Sequence, residues 1–89
     1  MEINGADVIA YKDDVKYVIQ AKFYSSPVGN KAVQEVVASI KMYKASKGIV
    51  VTNNTFTTSA IELAKANDVE LIDRDKIEEY KKMIFETLM

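Results

Sequence analysis

The stretch ADVIAYKDDVKYVIQAKF, residues 6–23, constrains the fold more than any other part of the chain. It holds two runs of alternating residues separated only by Asp13 and Asp14. A parallel crossover needs a dozen or more residues, so two such runs can pair only as an antiparallel β-hairpin. Asp-Asp is a less usual turn than Asp-Gly, because a type I′ turn requires positive φ at both central positions. With that turn Lys12 faces Val15, Tyr11 faces Lys16 and Ile9 faces Val18. Within the second run, Tyr17, Ile19, Ala21 and Phe23 form an apolar face, and Val18, Gln20 and Lys22 form the other.

Downstream of the hairpin the period changes. After the loop SSPVGN, Val33, Val36, Val37, Ile40 and Tyr43 recur at helical spacing, with Asn30 as N-cap, Lys31 opening the helix and Gly48 near its end. GIVVT is short and β-branched and predicts a buried strand parallel to the one before the helix. A helix capped by Thr57 or Ser59 follows, with Ala60, Leu63 and Ala64 inward. VELID predicts a further strand, and Asp73 caps a last helix carrying Ile77, Tyr80, Ile84 and Leu88 on one face. Hairpin, helix, strand, helix, strand, helix is the order of a three-layer α/β domain with a mixed sheet, parallel beyond the hairpin.

Composition narrows the chemistry. The 89 residues are enough for a single domain, 1–89, and contain neither Cys nor His. Disulfides, thiolate nucleophiles, histidine acid–base catalysis and the usual zinc sites are thereby excluded, and any metal must be a hard cation held by oxygen. No apolar run is long enough to cross a membrane, and the first residues do not read as a signal peptide. A cytoplasmic protein is the expectation, with no membrane partner. The formal net charge of −1 argues mildly against a dedicated nucleic-acid-binding domain.

The hairpin register places Asp7 opposite Gln20, with Lys22 diagonal to it at roughly 7 Å. A carboxylate, an amide oxygen and an ammonium then meet at the open end. Mg²⁺ binds through one or two protein oxygens together with phosphate, and Asp7, Gln20 and the Ala21 carbonyl can supply oxygens. Lys22 can orient a water or offset charge developing on phosphate. The plainer account is a solvated second face of a hairpin, where Asp, Gln and Lys are common, and pattern alone favours it.

A longer match carries the argument further. GADVIAYKDDVKYVIQAKFY, followed by VGNKAVQEVVASIKMYKASKGIVVTNNTFTTSAIELAKANDVELIDRDKI, resembles the catalytic domain of Mrr-like endonucleases. These are PD-(D/E)xK nucleases of the restriction-endonuclease-like superfamily. The resemblance runs from about Gly5 to Ile77. It implies a restriction-endonuclease-like core and metal-dependent hydrolysis of DNA phosphodiester bonds, with Mg²⁺ as cofactor and Mn²⁺ as a substitute. Asp7 matches the metal-binding acid, Gln20 the second ligand position, where relatives have Glu-x-Lys, and Lys22 the catalytic lysine. Val50–Asn53, Phe56, Thr57 and Ala60 match an architectural segment. Gln34 sits where the family often has Gln, and a surface role is the expectation for it. Family members usually begin with a helix bearing a glutamate, whereas here MEIN precedes Gly5; the expected core is short of that helix, with Asp7 its only evident carboxylate.

DNA is therefore the expected partner, with Lys12, Lys16 and Lys31 as candidate phosphate contacts. The acidic total points to help from a homodimer or a companion DNA-binding domain. The competing expectation is a non-catalytic DNA-binding or assembly module that retains the nuclease fold. A nucleotide-binding domain is disfavoured by the lack of a Gly-rich phosphate loop.

Overall fold

Strand order and handedness together decide which face of the sheet is buried. A computed structural model describes residues 8–88. It contains β1 (Val8–Lys12), β2 (Val15–Ala21), α1 (Asn30–Met42), β3 (Lys47–Val51), α2 (Thr58–Ala66), β4 (Glu70–Ile72) and α3 (Arg74–Leu88). The side chains of Ile84 and Leu88, expected on one face of the last helix with Ile77 and Tyr80, lie outside what is described. The four strands lie in the order β1-β2-β3-β4; β1 and β2 are antiparallel and the remaining pairs are parallel. This is the expected α/β core with a mixed sheet.

The hairpin register is the expected one, from Lys12 opposite Val15 to Val8 opposite Ile19. Asp13 and Asp14 both take positive φ, 53° and 65°, as a type I′ turn demands. Short aspartates tolerate this region better than most non-glycine residues.

Two crossovers then step across the sheet in the same direction. Right-handed connections taken in one direction put their helices on one side. Accordingly Val18 of β2 and Val50 of β3 pack with Ala32, Val33 and Val36 of α1 and with Ala60 and Ala64 of α2, all buried. Each fully buried valine contributes about 1.5–3 kcal/mol relative to exposure. The opposite face, with Tyr17, Ile19, Ala21, Ile49, Val51 and Ile72, is only half-buried, and Phe23 is exposed. The face of β2 that looks apolar in the sequence is thus not the one beneath α1 and α2. The burying face is the one that carries Gln20 and Lys22.

Gly48 does not end α1, as its position in the sequence suggests; it lies in β3 under that helix. A Cβ there would meet Ile40 Cδ1 at 2.8 Å, so the missing side chain lets α1 approach the sheet. The helix ends in a Schellman-type turn instead, with Lys44 at φ 54° and the Ala45 N–H donating to the Ile40 carbonyl at 2.8 Å. The N-cap of α1 is Gly29 rather than Asn30. Asn30 is engaged elsewhere, donating to Ser59 Oγ at 2.6 Å and accepting from Gln34 Nε2 at 3.1 Å. Thr57 and Asp73 cap α2 and α3 as expected, accepting from the Ala60 and Lys76 N–H groups. Among the described residues α3 packs only against β4, and Tyr80 and Met83 are exposed.

Candidate active site

Gln20 and Lys22 share a face because they are two residues apart on an extended segment. Ala21 between them closes β2 opposite Val51, and the Lys22 N–H donates to the Val51 carbonyl at 2.8 Å, which carries the pairing one residue further. Both side chains are 1% exposed. The solvated-face account of this pair is therefore overturned. The face is covered by α1, whose polar positions Glu35 and Ser39 lie over it.

Lys22 Nζ donates to Glu35 Oε2 at 2.7 Å. Glu35 keeps 37% of its side chain exposed, so the ion pair spans from the interior to solvent. A buried ammonium costs several kcal/mol unless paired, and Glu35 provides the pairing. Gln20 Nε2 donates to Ser39 Oγ at 3.3 Å, and Ser39 Oγ donates to the Glu35 carbonyl at 3.0 Å. Gln20 Oε1 is buried and accepts no hydrogen bond among the described residues. An orphaned buried acceptor costs about 1–3 kcal/mol, a large sum for a small domain. Such an atom is what a hard cation takes as ligand.

Asp7 lies outside the described residues. Among those described, no three carboxylate-type side chains converge in a way that could hold a metal. Gln34, exposed on α1, donates to Asn30 and takes no part in the buried cluster.

The three candidate phosphate contacts separate. Lys16 is on the same face as Gln20 but four residues nearer the turn, about 13 Å along the strand. Its Nζ donates to the Tyr43 carbonyl at the end of α1, at 2.5 Å, and lies 6.0 Å from the centroid of the Tyr11 ring. That is the position of a cation closing a helix C-terminus. Lys12 is exposed at the turn, also at the far end of the hairpin. Lys31 alone is near the cluster in the chain, exposed in the first turn of α1 and four residues before Glu35. Residues four apart share one side of a helix.

The hairpin pattern does not point to Glu35 and Ser39. Their signal is a pair of polar residues four apart, interleaved with the buried Ala32, Val33 and Val36. Polar residues in an inward stripe need partners.

Comparison with known proteins bears on the family and the fold. A family model of the Mrr catalytic domain, described as "Restriction endonuclease", matches residues 2–80. No curated protein matches the chain. Among solved structures, the chain is similar to one described as "DNA modification-dependent restriction endonuclease AspBHI", with a TM-score of 0.60 and 19% identity. The match covers 85% of this chain and 24% of that one, so the chain spans about a quarter of that protein's length.

Proposed function

Since the chain belongs to the Mrr-type restriction endonuclease family, we propose that it hydrolyses DNA phosphodiester bonds with a divalent cation. The observation that carries this reading is the buried pair of Gln20 and Lys22 on one face, with Gln20 Oε1 lacking a hydrogen-bond partner among the described residues. The oxygens we assign to a hard cation are Gln20 Oε1, the Ala21 carbonyl and the carboxylate of Asp7, which lies outside the described residues. Mg²⁺, or Mn²⁺ in its place, supplies Lewis-acid polarisation of a phosphoryl oxygen when bound.

The chain's own groups do the rest. Lys22 brings positive charge to the developing phosphorane oxygens and holds a water by its N–H donors. Glu35 keeps the ammonium at this position, so a phosphate that approaches Lys22 shares it with Glu35. Lys31, and at longer range Lys12, contribute phosphate contacts along the backbone. With a net charge of −1, DNA affinity from these alone is low, and a second copy or a companion DNA-binding domain supplies the remainder.

The test is nicking of supercoiled plasmid with Mg²⁺ or Mn²⁺ by the intact chain and by Lys22→Ala. Metal-dependent nicking that disappears in the variant supports the reading. A folded chain that binds DNA without metal-dependent nicking refutes it. That outcome favours the second reading, a non-catalytic DNA-binding or assembly module that retains the nuclease fold.

A further inference from the structure

Gln20 can face Ser39 with either end of its amide, and only one choice presents an oxygen to a cation. The chemistry around Ser39 distinguishes them. A serine hydroxyl has one proton and two lone pairs. Ser39 Oγ donates that proton to the Glu35 carbonyl, four residues back on α1, at 3.0 Å. A backbone carbonyl only accepts, so in this bond the hydroxyl must be the donor. What Ser39 offers to Gln20 is then a lone pair, which only the Nε2 end can meet; it does so at 3.3 Å. The carboxamide is thereby turned with Oε1 away from Ser39, and Oε1 is the buried atom without a hydrogen-bond partner among the described residues. If the amide were reversed, two acceptors would face each other unless the hydroxyl gave up its bond to α1. Such back-bonds from serine to the carbonyl of residue i−4 usually do nothing more than relax a helix. Here Ser39 is 8% exposed and directly above Gln20.

We propose that Ser39 is a positioning residue that selects the orientation of the Gln20 amide, so that Oε1 rather than Nε2 is offered to a divalent cation. This rests on the proposed cation site and adds to it a residue on α1 that touches neither substrate nor metal. It has a specific corollary. A carboxylate carries an oxygen at both ends and has no wrong orientation. Ser39 should therefore matter when residue 20 is glutamine and cease to matter when it is glutamate.

The experiment is a cycle of four full-length chains: the natural sequence, Ser39→Ala, Gln20→Glu and the double variant. Mn²⁺ affinity is read from the electron paramagnetic resonance of free Mn²⁺, and the Gln20 side-chain amide is followed by ¹⁵N NMR. Circular dichroism establishes that each chain is folded; alanine is a better helix former than serine, so Ser39→Ala keeps α1. The expected result is a roughly fivefold weakening of Mn²⁺ binding by Ser39→Ala in the Gln20 chain, the worth of one neutral hydrogen bond. The Gln20 NH₂ signals should lose their contact with residue 39 at the same time. In the Gln20→Glu background the same substitution should change affinity by less than about twofold, the scatter expected of two residues that no longer couple. An equal loss in both backgrounds would show Ser39 to be merely structural and would overturn the proposal. No loss in either would overturn it as well. Absence of Mn²⁺ binding in all four folded chains would overturn the cation site itself, and the orientation proposal with it, which separates that failure from the first two.

Discussion

Lys16 and Lys22 sit on the same face of one extended segment, and α1 holds both of them. Lys16 reaches the last turn of the helix and binds the neutral carbonyl of Tyr43. Lys22 reaches an earlier turn and binds the carboxylate of Glu35. Lys16 is half-buried, whereas Lys22 is 1% exposed. A lysine that can reach water needs only a weak partner, and its loss is modest. A lysine withdrawn from water needs a full counter-charge, and a domain retains such an arrangement either for specificity or for chemistry. The difference between the two lies in what covers them, not in residue type or strand position.

The comparison can be broken most decisively at Lys22. Lys22→Met keeps the volume and removes the charge; metal-dependent nicking should fall by about 10²–10³-fold, the scale for losing one preorganised electrostatic group. Its denaturation midpoint should stay level or rise, because a buried charge has gone. Retained nicking in that variant would reduce Lys22 to a second Lys16. Next in size is Glu35→Ala, which removes the carboxylate that the buried Lys22 ammonium donates to. A loss of about 3 kcal/mol is expected, at the low end for buried pairs because Glu35 reaches solvent. Urea denaturation measures it, and a loss under 1 kcal/mol would mean that Lys22 finds water as easily as Lys16 does.

Gln20→Met removes the orphaned acceptor together with one hydrogen bond. A gain of about 1 kcal/mol is expected from losing an unsatisfied buried group, with Mn²⁺ binding abolished. A less stable variant would show that Oε1 has a partner that offsets its burial. The smallest effect belongs to Lys16→Ala. It should cost about 0.3–1 kcal/mol, the usual worth of a cation at a helix C-terminus, and leave Mn²⁺ affinity unchanged. A weakened Mn²⁺ affinity there would join the two ends of β2 into one site.

Much of this was legible in the residues. Alternation around Asp13 and Asp14 defines the hairpin register, and β-branched runs between helical periods define β3 and β4. Gln20 and Lys22 could be placed together by parity alone. Parity does not say which side of the strand is covered. That depends on the handedness of two crossovers, which turned the polar face of β2 inward and left Tyr17 and Ile19 half-buried. Glu35 and Ser39 were hidden for a related reason. Their partners are 13 and 19 residues away in the chain, and only the path of the 23–29 loop aligns the helix over the strand. Gly48 misleads in the same way: a glycine just past a helix usually caps it, but this one clears space for Ile40.

The pairing of α1 with β2 has a metric consequence. Four residues of helix advance about 6 Å and two residues of strand about 6.6 Å, so Glu35 and Ser39 match Lys22 and Gln20 like graduations on two facing rulers. The rulers run in opposite directions, since the later helix residue meets the earlier strand residue. A shift of α1 by a single residue would therefore misalign both contacts at once. Ion pair and amide stand or fall as one unit, and a substitution that tilts the helix from well outside the cluster would reach the two together.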